Sequence, residues 1–403
     1  MPRKAHQFFS DFNMNYVFLG MLGGAYYGLA DLGTALAIID QTQDGNPASA
    51  FAALTSTGEL VRARAETALA AGHRATARES FLQSSNYTFA ATYFCDGMGA
   101  PEKLIPTWKR SRTAMDAAFA LFNPTVEEVK VPYEGTMLPG YIFKVDDSGK
   151  PRPLLIMTNG SDGSVLDMWL FGAAAGVARG YNCLAVDGPG QGAALWEQHL
   201  PFRPDWEKVI TPVVDHLLTR PDVDAGKVAL LGVSQAGYWV PRSVAFERRI
   251  AAAVADPGVV DISTTMTGQV PHFLVKMIEA GEQEKFDKDM ALALKFSPAT
   301  RSMMAFRMRP YGTTSPYEFF TAARAYALTD EVIGRITCPV LVTDPDHEQF
   351  WPGQSRELYD KLPAAKALIR FTEEEGADSH CEPAGNGLRG ERIFDWLDQH
   401  IPA

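Results

Sequence analysis

The sequence predicts a doubly wound α/β domain with a mostly parallel sheet, preceded by an all-helical domain and interrupted by a helical lid. Three observations carry that expectation. Six short, nearly all-apolar runs recur between residues 153 and 371, as strands buried on both faces do. Helical patterns fill most of the gaps between them, which is the βαβ alternation of a parallel sheet. Residues 8–122, by contrast, show apolar residues at helical spacing only.

From Phe8 to Phe122 the helical pattern breaks near Gly45-Asn46-Pro47, at Gly72 and between Gly97 and Pro101. Aromatics such as Tyr87, Tyr93, Phe94 and Trp108 read as core of this domain. The apolar run Tyr16 to Ile39 has about the length of a bilayer span, but it contains Asp31, is rich in glycine, and lacks a basic leading region and a small-residue cleavage site. A buried helix pair around Gly20 to Gly33 is expected instead, and a cytoplasmic location follows by default. At Asn123-Pro124 the period becomes strand-like, which places the domain boundary between residues 1–123 and 124–403. VEEVKVPY and MLPGYIFKV read as a hairpin around Glu134-Gly135. PLLIMT, NCLAVD, KVALLG, AAAVA, PVLVT and KALIRF are the buried strands that follow. The gap between Asp261 and Ile336 is too long for a crossover. Rich in methionine and aromatics (Met303, Met304, Phe306, Met308, Phe319, Phe320), residues 262–336 read as a lid, and its methionines would suit a pliable wall around an apolar substrate.

Composition narrows the function. With 403 residues, 46% hydrophobic, and a net charge of -11, the chain offers no basic footprint for nucleic acid or an anionic membrane surface. Cys95, Cys183, Cys338 and Cys381 are far apart, with no C-x-x-C pair, and are expected as free thiols. No H-E-x-x-H or clustered ligand spacing points to a metal. DGPGQG at Asp187 to Gly192 lacks the G-x-G-x-x-G arrangement of a dinucleotide site and reads as scaffold and pocket rim. No cofactor is expected, and the expected partner is a small-molecule substrate.

The chemistry centres on Lys227 to Gly237, KVALLGVSQAG, a buried strand running into a tight turn that presents Ser234. A nucleophile elbow requires small residues two before and two after the serine, here Gly232 and Ala236, with Gly237 next. Serine is a poor nucleophile unless a base lies within hydrogen-bond reach and a third group orients that base. His380, in EEEGADSHCEP after the last strand, is the candidate base. The order serine, acid, histidine is the one an α/β-hydrolase fold uses. TDPDHEQFWP offers Asp344, Asp346 and Glu348 as the acid. Asp346 is the alternative, because aspartate is the usual residue. Glu348 is favoured, because a strand of the form P-x-L-x-x-x-G-x-x-D-x-x-x-P laid on Pro339 and Leu341 puts the acid at 348 and the second proline at Pro352. For the oxyanion, the expected donors are the backbone N–H groups of Gln235 and of Ser161, in the loop TNGSDGS after the first central strand, where Gly160 permits close approach. Tyr238 and Trp239 beyond the elbow, and His272 in the lid, are the candidate substrate contacts.

GVSQAGYWVPR, AFERRIAAAV, DGPGQG, PGQ at Pro352 to Gln354, EEGADSHCE and FDWLD resemble the α/β hydrolases that include 2,6-dihydroxypseudooxynicotine hydrolase and the fungal polyketide-shortening hydrolases. YYGLADLGTAL and AAGHRATARESFLQSSNY resemble the helical module of that family, so the likeness spans nearly the whole chain. The resemblance implies a helical N-terminal cap, a serine triad, no metal and a dimer. It also implies hydrolysis of a C–C bond next to a ketone in an aromatic or polyketide-like small molecule. An ester or lactone is the alternative, as is an acyl-enzyme intercepted by an internal nucleophile of the substrate. Ala236, Trp239 and Asn159, where many relatives have other residues, bear on pocket shape rather than mechanism.

Overall fold

The structure, a computed structural model, describes residues 6–268 and 270–401. It divides into two compact units: the residues up to Val126 together with Pro383–Gly387, and Glu127–Glu382 together with the residues from Leu388. The sequence reading places the boundary at residue 123 and leaves 383–387 with the second domain. The structure gives this short segment to the helical unit. There Gly23 packs so tightly on it that a Cβ would fall 1.8 Å from the Pro383 carbonyl oxygen.

The helical unit contains Phe12–Gly23, Leu32–Asp40, Pro47–Ala70, Arg74–Ala91 and Leu104–Phe119. Local chemistry starts three of these helices. The carboxylates of Asp11 and Asp31 accept the N–H of Met14 and Thr34, and the Asn46 side chain accepts that of Ser49 ahead of Pro47. Asp31 is therefore a helix cap inside the apolar run Tyr16 to Ile39, which Gly28 breaks in a left-handed conformation. Among the described residues no helix is long and apolar enough to cross a membrane. Tyr87 and Trp108 are buried, and the Tyr87 hydroxyl accepts the Asp31 N–H.

The second unit is built on an eight-stranded sheet of β1 (Glu127–Tyr133), β2 (Thr136–Phe143), β3 (Arg152–Thr158), β4 (Asn182–Val186), β5 (Val223–Val233), β6 (Ala252–Asp256), β7 (Val340–Pro345) and β8 (Lys366–Phe371), in the order β1-β2-β4-β3-β5-β6-β7-β8. The hairpin turns at Glu134 and Gly135, both with positive φ, as the tight primed turns require. β2 runs antiparallel to β1 and β4, and all other pairs are parallel. Because β4 lies on one side of β3 and β5 on the other, the chain reverses direction across the sheet at that point. A ligand crevice is expected outside the carboxyl ends of those two strands. Thr158 and Gly232 are register partners there, so the loop after β3 lies beside the turn after β5.

Between β6 and β7 the described residues form six α-helices, from Ser263–Thr267 to Asp330–Ile333. They are anchored by backbone hydrogen bonds from Ile262 to Tyr326, Leu328 to Val260, and Phe202 to Pro310. Met304, Met308, Phe319 and Phe320 are buried in the packing of this insertion, whereas Met303 is exposed.

Candidate active site

Ser234 sits at the tip of the β5 turn with φ of 60°, a left-handed conformation that costs a non-glycine residue roughly 1–3 kcal/mol. Two backbone hydrogen bonds hold it. Its N–H donates to the Asp256 carbonyl at 2.6 Å, its carbonyl accepts the Gly237 N–H at 2.8 Å, and the helix Ala236–Val244 starts at once. The small residues around it are obligatory: a Cβ at Gly232 would meet the Ala236 oxygen at 2.4 Å, and one at Gly237 the Pro257 oxygen at 1.8 Å. Ala236 itself fits in full burial.

His380 Nε2 lies 2.8 Å from Ser234 Oγ, and His380 Nδ1 lies 2.8 Å from Glu348 Oε2. The other oxygen of Glu348 accepts the N–H groups of Phe350 (2.8 Å) and Trp351 (3.1 Å). Burial pushes the Glu348 carboxyl up, but His380 and these two N–H groups outweigh it and hold the group below its ordinary value. The acid loop and the histidine loop are tied at two further points: Gln349 Oε1 accepts the His380 N–H, and His347 Nδ1 lies 2.6 Å from an Asp378 carboxylate oxygen. The rings of Phe350 and Trp351 flank the imidazole, with centroids 4.7 and 5.6 Å away. Of the three acids the sequence offered, Glu348 alone meets His380. Asp344 pairs with Arg356, and exposed Asp346 with Arg370. Such a chain can take the proton from the serine hydroxyl while the carboxylate fixes the imidazole tautomer.

The loop after β3 touches the serine directly, since a Cβ at Gly160 would fall 2.6 Å from Ser234 Cβ. The Gly160 N–H is spent on Asn159 Oδ1. Among the described residues the backbone N–H groups of Gln235 and Ser161 donate to no protein acceptor. Asn159 Nδ2 reaches the Ser164 carbonyl (3.0 Å) and Asp167 (3.1 Å), while Gln191 donates to the Asn159 and Gly160 carbonyls and Asp187 accepts the Val165 and Ala193 N–H groups. DGPGQG is thus the brace of this loop. Burial, with the Asp162 and Asp187 charges adding to it, pushes the Asp167 carboxyl up to about 7 against its hydrogen bonds.

Beneath the elbow, Asp256 forms a buried ion pair with Arg389 (2.9 Å) and accepts the Thr343 hydroxyl (2.7 Å). Burial, reinforced by the Asp256 charge, raises the neighbouring Glu382 carboxyl well above its ordinary range. Cys381 and Glu382, just past His380, both adopt positive φ. No group of residues suited to hold a metal ion occurs among the described residues.

No family model matches the chain. Curated relatives match it end to end. The Fusarium hydrolase LUC6 is 29% identical over 98% of both chains, and the α/β hydrolase psoB of Aspergillus fumigatus is 28% identical over 98% of this chain and 95% of its own. The 20-hydroxy-prefusarin hydrolase FUS2 of Gibberella moniliformis is 26% identical over 98% and 97%. Among solved structures, 2,6-dihydroxy-pseudo-oxynicotine hydrolase superposes with a TM-score of 0.73 over 95% of each chain at 20% identity. The chain has the α/β-hydrolase fold.

Two expectations drawn from the sequence are corrected. Tyr238 and Trp239 are 1% and 0% exposed, with their polar atoms donating to the Pro204 and Arg203 carbonyls and Trp239 stacked 4.0 Å from Trp206. They are packing residues, not substrate contacts, because the elbow helix turns both inward onto the core. His272 is exposed at the start of the lid helix His272–Glu279. The lid also reaches this loop at a residue the sequence did not single out: Arg307 donates from Nη1 to Ser161 Oγ at 3.1 Å. A single arginine in a helical pattern carries no signal of its own. The four cysteines are free thiols.

Proposed function

We propose that this chain is a serine hydrolase working through an acyl-enzyme. His380 takes the Ser234 proton as Oγ attacks a carbonyl carbon, Glu348 steadies the imidazolium, and the N–H groups of Gln235 and Ser161 hold the oxyanion. Collapse of the tetrahedral adduct breaks the bond to the leaving group, which receives the proton from His380. Water activated by the same histidine then releases the acid. The observation that carries this reading is the continuous hydrogen-bonded chain from Ser234 through His380 to Glu348 at 2.8 Å per step.

The bond broken is a C–C bond next to a ketone in an aromatic or polyketide-like molecule, where a neighbouring carbonyl stabilises the departing carbanion as an enolate. Kinship supports the substrate class: the matched relatives include a 20-hydroxy-prefusarin hydrolase, and the fold is that of 2,6-dihydroxy-pseudo-oxynicotine hydrolase. The test is to incubate the enzyme with a set of aryl 1,3-diketones and the matched aryl esters in ¹⁸O-water. Cleavage of a diketone, with one ¹⁸O in the acid product and none with Ser234→Ala, is expected. Cleavage of esters alone would replace the C–C assignment, and full turnover by Ser234→Ala would remove the mechanism.

A further inference from the structure

We infer that Arg307 is a specificity-determining residue that grips an ionised oxygen of the substrate, a carboxylate or an enolate, beside the scissile carbonyl. This rests on the serine-hydrolase reading of the same site. Arg307 lies on the lid helix Pro298–Met308, yet its Nη1 reaches Ser161 Oγ on the loop that flanks Ser234. Its guanidinium also stands 5.7 Å from the centre of the Phe350 ring, which in turn is packed 4.7 Å from the His380 ring. The group thus borders both sides of the crevice, the loop beside the serine and the wall beside the base.

Arg307 carries its charge at the crevice without a counter-ion. Arg203, Arg220, Arg242, Arg249 and Arg389 each pair with a carboxylate. Among the described residues Arg307 pairs with none, and its one hydrogen bond goes to a neutral hydroxyl. A guanidinium is always charged and presents five donors in a planar fork that matches two oxygens at once. The Phe306 and Phe350 rings stand 5.3 and 5.7 Å from its central carbon, within cation–π range. Half-buried and unpaired, the charge is incompletely solvated, so an anionic ligand gains more there than in water. The chain's net charge of -11 sharpens the point: the protein as a whole repels anions, so an acidic substrate needs a local cation.

The experiment measures protection of Ser234 from a fluorophosphonate probe in wild type, Arg307→Met, Arg307→Lys and, as a lid control, Arg309→Met. Two pairs of protecting ligands are compared: 3-phenylpropanoate with its methyl ester, and 1-phenylbutane-1,3-dione, at a pH where it is ionised, with 1-phenylbutan-1-one. In wild type the anionic member of at least one pair protects about ten- to a hundredfold more strongly, the range of one charged hydrogen-bonded contact. That preference disappears in Arg307→Met, is partly kept in Arg307→Lys and is unchanged in Arg309→Met. The pair that responds tells carboxylate from enolate. Equal protection by both members of both pairs, or a preference that survives in Arg307→Met, overturns the inference while leaving the serine mechanism standing. Failure of the probe to label wild-type Ser234 overturns both.

Discussion

Replacing Glu348 with glutamine tests the proposed triad at its least conventional member, and the structure dictates how it should fail. Glu348 uses one oxygen for the Phe350 and Trp351 N–H groups and the other for His380 Nδ1. A glutamine must keep its carbonyl oxygen on the two backbone donors, because turning its amide toward them would set donor against donor. Its NH₂ then faces Nδ1 and forces that nitrogen to accept. The imidazole proton moves to Nε2, which can no longer take the serine proton 2.8 Å away. Loss of the acid in a serine triad through the wrong tautomer costs about 10³–10⁴ in the chemical step, equivalent to about 4–5.5 kcal/mol. Folding should survive, since the substitution is isosteric and both backbone hydrogen bonds persist. The assay is the single-turnover rate of acyl-enzyme formation with any cleaved substrate, alongside thermal unfolding. Asp346→Asn is the comparator, breaking only an exposed pair with Arg370 and leaving the rate unchanged. Near wild-type turnover in Glu348→Gln, with the loss appearing in Asp346→Asn, would refute the assignment.

Three other substitutions probe the surroundings. Gly160→Ala places a methyl group 2.6 Å from Ser234 Cβ and displaces the loop that carries the Ser161 N–H; acylation should fall by about 10²-fold or more with the fold intact, and a rate within twofold of wild type would contradict the proposed oxyanion site. Arg389→Met strands the Asp256 carboxylate in the core and should destabilise the protein by about 3–5 kcal/mol in chemical denaturation, while a loss under ~1 kcal/mol would show the pair to be dispensable. Asp167 has a folded pKa raised to about 7 from 3.8, so the folded state holds that proton more tightly than the unfolded chain. Its contribution to stability is therefore present at low pH and is lost as pH rises toward 7, by an amount on the order of 2 kcal/mol once partial exposure is allowed for. Asp167→Asn should flatten the decline in stability between pH 4 and 7, and an unchanged pH profile of unfolding would refute the shift.

Much of this architecture was legible because the signals are local. All six apolar runs are strands; five are buried along their apolar stretch, which leaves no room for alternation, while the edge strand β8 is mostly half-buried. The elbow was legible for steric reasons, as Gly232 and Gly237 stand where a Cβ would collide with backbone. The register of PVLVTDPDHEQFWP singled out Glu348 over Asp346, which the geometry separates by turning one toward His380 and the other toward Arg370. What stayed hidden depends on contacts between distant segments. Trp239 sits five residues after the serine, yet which face of the helix it takes is decided by Trp206, far away in sequence. Arg307 and Arg389 reach Ser161 and Asp256 across more than a hundred residues, and no spacing rule connects such pairs.

The most direct test of the central claim is to trap the covalent intermediate. Wild-type enzyme turning over a cleaved substrate is quenched in acid within the first turnover, digested, and its peptides are mapped by mass spectrometry. The account predicts a mass increase equal to the acyl group on Ser234, absent in Ser234→Ala. Product formation with no acyl adduct at any time point, or with the adduct on another residue such as Cys381, would contradict it.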